Sequence, residues 1–316
     1  MPTRNNRRMW QTLPSSQSEL GESPFWHPQE RALYWLDIPG RAVLRARGDI
    51  AQPSVERWAL PTEPGCMAPA RRGGLVIALR DGIYRAREWG AELQLMVRAE
   101  HDVRTMRFND GKCDPLGRFW AGSINEAKDR ASALLYCLDA RGGRAPQLVA
   151  MAQDATTANG LAFSPDARTL YWADTPSHAV RAWDWDAEGN TMSNERVFQR
   201  FAPKPAGWNP ELPAGGGYGG RPDGASIDAQ GHYWVAMYEG GQLLRLAPDG
   251  QQVEALTLPA QCPTMPCFGG DDLRTLFVTT ARHGRSAAEL ARLPASGSVL
   301  YTRVDTPGRP VDFFED

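Results

Sequence analysis

The residues from Asn159 to Asp174 read as strand, turn, strand. An apolar run ends at Phe163, Ser164-Pro165-Asp166 supplies the turn, and Leu170-Tyr171-Trp172 restarts an aromatic strand. The unit recurs along the chain. Glu22 leads through His27-Pro28-Gln29-Glu30 to Leu33-Tyr34-Trp35, Asn109 through Asp114-Pro115-Leu116-Gly117 to Phe119-Trp120, and Asp223 through Asp228-Ala229-Gln230-Gly231 to Tyr233-Trp234. Two looser copies run from Gly65 to Leu75-Val76 and from Met265 to Leu276-Phe277-Val278. Copies spaced about 40–50 residues apart, with one longer gap, are the signature of a β-propeller with one unit per blade. The expected fold is therefore all-β: a six-bladed propeller of four-stranded antiparallel blades, with residues 1–316 as a single domain.

In such a ring the leading residues Glu22, Gly65, Asn109, Asn159, Asp223 and Met265 are equivalent in space. They stand at the start of the innermost strands, where the blades converge on the channel. Four of them carry side-chain oxygens. Two carboxylates, Glu22 and Asp223, with the amide oxygen of Asn159, would neutralise one divalent cation. The set has no His and no Cys, so it suits Ca²⁺, Mg²⁺ or Mn²⁺, and carboxylate-rich sites also take Zn²⁺ and Fe²⁺. Three protein ligands leave open positions for water and substrate. Asn109 is a fourth, more distant oxygen. The competing reading is local. Asn159-Gly160, Asp110-Gly111 and Asp223-Gly224 are also the commonest tight-turn pairs. Equivalence within a repeat favours the ligand reading, because uncompensated carboxylates converging on one axis are costly without a cation.

The remaining features narrow the class. A net charge of −2 gives no reason to expect nucleic acid or an anionic membrane as partner. No apolar run approaches the roughly 20 residues of a membrane helix, and the basic start, residues 1–8, is followed by no apolar segment, so no secretory signal is expected. Five Cys form no dense framework, which suggests reduced, buried thiols and a cytoplasmic protein, and Cys262 and Cys267 lack the second pair of a zinc site. Of the eleven Trp, those at the repeat ends (Trp35, Trp120, Trp172, Trp234) suit packing between blades better than ligand stacking. Ring closure is expected to pair residues 9–13 with 298–303. Residues 201–221, with four Pro and six Gly, form a loop ending at Asp223, read as a rim or partial lid over the channel mouth. Residues 286–293 suggest a short helix and 307–316 a surface segment. Arg107 and Arg221 each precede a leading residue by two positions. Arg107 is read as a substrate contact, and for Arg221 a surface salt bridge is the simpler reading. His178 and His283 are weaker candidates for the mouth.

Five motifs carry a family resemblance: Leu20-Gly21-Glu22-Ser23-Pro24-Phe25-Trp26, Arg107-Phe108-Asn109-Asp110-Gly111-Lys112, Asn159-Gly160-Leu161, Pro222-Asp223-Gly224, and Cys267-Phe268-Gly269-Gly270 followed by Leu276-Phe277-Val278-Thr279. From about residue 18 to 303 the chain resembles the regucalcin and gluconolactonase family of six-bladed propellers. The resemblance implies a divalent metal held by Glu22, Asn159 and Asp223, with calcium the foremost ion. It also implies substrate contacts from Arg107 and Asn109, and hydrolysis of a sugar lactone to the sugar acid. The family's further acidic substrate contact falls here on Ala127, so the neighbouring Glu126 is taken for that role and the sugar is left open. Asp223, a ligand with a free oxygen, is the candidate general base. Two other readings stay open: a non-catalytic calcium-binding regulatory propeller, and a hydrolase of another ester or lactone on the same site. The expected partner is a small sugar lactone, and the expected state a monomer or weak dimer.

Overall fold

In the computed structural model of the protein, which describes residues 9–211 and 217–316, strands assemble into six four-stranded antiparallel sheets. In chain order the innermost strands are Gly21–His27, Pro64–Pro69, Met106–Cys113, Ala158–Phe163, Arg221–Ile227 and Pro263–Gly269. Blades 1 to 5 each run outward in sequence order. Blade 6 takes its two inner strands and Leu300–Arg303 from one end of the chain and its outermost strand, Gln11–Thr12, from the other. Gln11 pairs with Tyr301 and Thr12 with Leu300, the closure expected from sequence. The basic residues 1–8, and residues 212–216 of the proline- and glycine-rich loop, lie outside the described residues.

Burial explains how each strand reads in the sequence. The inner strand Gly21–His27 is buried along its length, whereas Thr191–Arg200, the outer strand of blade 4, is mostly exposed. The four repeat-end tryptophans are among the most buried side chains and sit between blades. Trp120 packs edge-on against Phe163 of the next blade at 5.6 Å between ring centroids. A buried indole also needs an acceptor. Trp120 donates to Asp114 at 2.9 Å and Trp234 to Asp228 at 3.0 Å, which gives these turn aspartates a structural role.

The helix is present as Ala287–Arg292, with Ser286 as its N-cap accepting from the Glu289 amide. The expectation of a surface segment at 307–316 is overturned. Gly308 N–H donates to Leu273 O at 2.8 Å, Phe314 N–H to Pro69 O at 2.8 Å and Glu315 N–H to Gly117 O at 2.9 Å, so the segment crosses from blade 6 to blades 2 and 3. Phe313 and Phe314 are buried. Each such side chain contributes about 1.5–3 kcal/mol by leaving water, which an exposed tail would forgo. Arg309, Val311 and Asp312 cover a cavity at the far end of the inner strands, beside Phe25, Cys113 and Phe268.

Candidate active site

In every inner strand the pairing register slips at or beside the leading residue. The breaks fall between Glu22 and Phe25, Pro64 and Cys66, Phe108 and Gly111, Asn159 and Ala162, Pro222 and Ala225, and Pro263 and Met265. A bulge turns a side chain out of the strict alternation of a strand. The six bulges thus mark the same level of the ring. Asn159-Gly160, Asp110-Gly111 and Asp223-Gly224 all lie inside strands, so the tight-turn reading of these pairs does not hold. Gly160 is required on two counts. Its φ is +59°, and a Cβ there would fall 2.3 Å from the Tyr233 hydroxyl. Gly65 is required by packing, since a Cβ would meet the Phe108 carbonyl at 2.4 Å.

Glu22, Asn109, Asp110, Asn159 and Asp223 are all buried. Burial pushes the Glu22 carboxyl well above its ordinary range, and Asp223 and Asp110 push it further; the Ser23 amide and Arg107 offset this only in part. Burial, then Asp110, pushes Asp223 up to about 8 against the pull of Arg221 and Lys128. Asp110 accepts from the Leu161 amide at 3.1 Å through one carboxylate oxygen, while its other oxygen is buried without a hydrogen-bond partner.

The amides form a directed chain. Arg107 Nη1 donates to Asn109 Oδ1 at 2.9 Å, and Asn109 Nδ2 donates to Asn159 Oδ1 at 2.9 Å and to Ala158 O at 2.8 Å. Asn159 Nδ2 donates to Thr175 Oγ1 at 2.7 Å, whose hydroxyl donates to Pro222 O at 2.7 Å, next to Asp223. The chain fixes which end of each amide is oxygen and ties blades 3, 4 and 5 together.

Glu126 is less free than sequence reading assumed. It forms a two-pronged pair with Arg80, both contacts at 2.9 Å, and stands 3.7 Å from Arg107 Nε. The salt bridge expected for Arg221 is present but not superficial: its partner Glu239, at 3.1 Å, is buried and also takes Lys204 at 2.9 Å. From the 201–221 loop, the Tyr218 hydroxyl lies 2.7 Å from His178 Nε2. Sequence reasoning passed over Asp110, Thr175, Lys128 and Glu239. Asp110 had a signal, since it follows Asn109 in a repeat, but its Asp-Gly context reads as a turn. The other three sit outside the repeat motif.

These side chains suit a hard divalent cation. Asp223 and Asp110 both disfavour ionisation of Glu22, Asp110 also disfavours that of Asp223, and one Asp110 oxygen is buried without a hydrogen-bond partner, so ionising these carboxylates calls for a compensating positive charge. Among the described residues no three His, Cys, Asp or Glu side chains group closely enough to hold a metal ion. Glu22, Asp223 and the amide oxygen of Asn159, all buried, are the donors the sequence offers for such an ion.

Residues 20–282 match the family described as the SMP-30/Gluconolactonase/LRE-like region. A 6-deoxy-6-sulfogluconolactonase of Pseudomonas putida is 41% identical over 92% of this chain and 93% of its own length. Regucalcin of Danio rerio is 33% identical, with 89% of each chain covered. Among solved structures, the calcium-binding protein regucalcin of Agrobacterium tumefaciens superposes with a TM-score of 0.86 over 98% of both chains at 24% identity, a likeness of fold.

Proposed function

The chain belongs to the SMP-30/Gluconolactonase/LRE-like family, and from that premise we propose that it is a metal-dependent sugar lactonase, opening an aldonolactone to its sugar acid at the channel mouth. What supports the reading is that Glu22 and Asp223, from the inner strands of blades 1 and 5, are both buried and that Asp223 opposes the ionisation of Glu22. A purely structural pair would be selected against at that cost. The names of the relatives support a lactone as substrate.

Glu22, Asn159 and Asp223 would hold the ion, with calcium favoured by its oxygen-only donors and Mg²⁺, Mn²⁺, Zn²⁺ or Fe²⁺ as alternatives. When bound it supplies Lewis-acid polarisation of the ring carbonyl and stabilisation of the developing oxyanion. The protein's own groups do the rest. Asp223 accepts a proton from the attacking water as that water's oxygen bonds to the carbonyl carbon. The ring C–O bond then breaks, and the proton passes to the departing ring oxygen, so that lactone and water become a hydroxy acid. Arg107 and Asn109 orient the sugar hydroxyls, with Glu126 held at the edge of that contact through Arg80 and Arg107. Residues 201–211 and 217–221 serve as rim, anchored by Tyr218 on His178 and by Lys204 on Glu239.

The test is a pH-indicator assay of metal-stripped protein against gluconolactone, xylonolactone, arabinolactone and galactonolactone, restoring one divalent ion at a time. Turnover that returns with an ion supports the reading. Calcium binding without turnover of any lactone would favour a regulatory binding protein instead.

A further inference from the structure

The bulge that carries Asp223 is held from outside its own blade. Pro222 pairs with Met237 and Ala225 with Val235, so Asp223 and Gly224 together stand opposite the single residue Ala236. Such a break leaves the direction of a side chain to whatever grips the backbone around it. Here the carbonyls on either side of the break each accept a side-chain donor from a different blade. Thr175 Oγ1 donates to Pro222 O at 2.7 Å from blade 4, and Lys112 Nζ donates to Ala225 O at 2.7 Å from blade 3. On a third side Gly224 packs against blade 6, where a Cβ would fall 2.5 Å from the Met265 Cβ and 2.8 Å from Thr264 O.

Neither donor is loosely placed. Thr175 is buried, its N–H donates to Thr157 O at 3.3 Å, and its carbonyl accepts from the His178 amide at 3.2 Å. Its hydroxyl also accepts from Asn159 Nδ2 at 2.7 Å, which leaves its single proton for Pro222 O. Lys112 ends the motif that begins at Arg107 and lies in the paired part of its strand, opposite Trp120. Ala225 O is the one hydrogen-bond partner of its ammonium among the described residues. Blades 3 and 5 are not neighbours in the ring, so this bond crosses the channel, a span that the long stem of lysine suits.

We propose that Lys112 and Thr175 are positioning residues, which hold the blade 5 bulge so that the Asp223 carboxylate faces the ion and the attacking water. This rests on the reading of Asp223 as ligand and base, and adds what sets its direction. A carboxylate whose backbone is gripped at one end only can swing, and a displaced ligand or base loses much of its effect. The rival role for Lys112 has the opposite signature. As a mere positive charge near a cation site it would repel the ion, and its removal would tighten binding. Loss of a grip on the bulge loosens it.

The experiment titrates calcium calorimetrically into metal-stripped protein, intact and as Lys112→Met, Thr175→Val and Thr175→Ser. Lys112→Met keeps the stem and loses the donor, and Thr175→Val keeps the shape and loses the hydroxyl. Each is expected to raise the calcium Kd roughly 10–100-fold, with Thr175→Ser restoring most of the affinity. Thr175→Val also frees Asn159 Nδ2, whereas Lys112→Met touches the Asp223 side alone, so agreement between the two assigns the effect to the bulge. At saturating calcium, kcat for lactone should fall about tenfold or more in both, with KM little changed. A Kd that Lys112→Met leaves unchanged or lowers, or that Thr175→Val leaves unchanged, would overturn the proposal. So would variants that lose melting temperature alone, since a purely structural role does not move the Kd of folded protein. Should Lys112→Met fail to fold, Lys112→Gln, whose polar head is too short for the span, takes its place with the same expectation. Intact protein that binds calcium but opens no lactone ends the lactonase reading and leaves the calcium comparison to decide. Intact protein that binds no divalent ion ends the reading of Asp223 as a ligand, and the proposal with it.

Discussion

Asn109 Nδ2 donates to Asn159 Oδ1 at 2.9 Å, across the seam between blades 3 and 4. The bond orients Asn159. With Oδ1 facing Asn109 and Nδ2 bound to Thr175 at 2.7 Å, the amide cannot flip without losing both partners. An amide that is to offer its oxygen to a cation must be held this way. Asn109→Ala is therefore expected to weaken divalent-ion affinity by roughly 10–100-fold, as removal of a ligand's supporting partner does elsewhere. Calorimetric titration with Ca²⁺ measures it, and an unchanged affinity would mean that Asn159 needs no such support.

The carboxylates predict a pH dependence whose sign is opposite to that of ordinary salt-bridged acids. Asp223 is raised to about 8, and Glu22 also stands well above its usual value. The folded, metal-free protein thus binds more protons than the unfolded chain between about pH 4 and 8, and its stability rises as pH falls through that window. A bound cation would replace the proton as the compensating charge. Melting temperature should consequently rise more on adding Ca²⁺ at pH 8 than at pH 6. Asp223→Asn should raise the metal-free melting temperature at pH 8 while abolishing turnover. A metal-free protein that loses stability on mild acidification would contradict this electrostatic picture.

The ring was legible because its inner strands are buried and its repeat-end aromatics keep their spacing. Trp35, Trp120, Trp172 and Trp234 mark it in the sequence and are buried between blades in the structure. The outer strands were harder to see. Thr191–Arg200 is exposed on both faces along much of its length, so no alternation of polar and apolar residues announces it. Asp110 was obscured by chemistry: an Asp-Gly pair signals a turn when read alone, and only the bulge between Phe108 and Gly111 reveals it inside a strand. The segment 307–316 was misread because its anchors are mostly backbone hydrogen bonds to distant turns, which leave no local pattern.

That segment yields a stability prediction separate from the chemistry. Arg85 is buried, and Asp316 is its carboxylate partner at 3.1 Å; Leu75 O at 3.3 Å and Gly73 O at 2.7 Å also accept from it. Removing one partner of a buried pair leaves the other charge uncompensated, at a cost of about 3–5 kcal/mol. The remaining carbonyls and the exposure of Arg87 on the other side of Asp316 place Asp316→Ala at the lower end of that range. Denaturant unfolding should show the loss with KM for lactone unaltered, because Asp316 contacts the far side of blade 2. An altered KM would link this segment to the mouth.

Asp312, within the same segment, gives a second pH effect of known sign. Burial raises its carboxyl to about 6. Between about pH 4 and 6 the folded state holds a proton that the unfolded state releases, so ionisation of Asp312 costs stability as pH rises through that interval and the cost persists above it. Asp312→Asn should stabilise the protein at pH 7 by roughly 1–3 kcal/mol and leave stability at pH 4 nearly unchanged. Chemical denaturation at the two pH values separates this from a general effect of the substitution, which would appear equally at both.

Arg107 joins the mouth to the amide chain, and its replacement distinguishes charge from geometry. Its guanidinium is largely buried, and desolvation lowers its proton affinity while Glu126, Glu22 and Glu63 favour the charge. Nη1 is committed to Phe108 O at 2.8 Å and to Asn109 Oδ1 at 2.9 Å. Were Arg107 only a positive charge offsetting Glu22, lysine would serve. A lysine ammonium is a point donor on a flexible stem. It cannot hold both acceptors in the plane of a guanidinium and still present a donor to a sugar hydroxyl. Arg107→Lys is therefore expected to raise KM for lactone about as much as Arg107→Ala, roughly tenfold or more, with a smaller loss in kcat. Steady-state kinetics on both variants decides it, since rescue by lysine would reduce Arg107 to an electrostatic counterweight and remove it from substrate positioning.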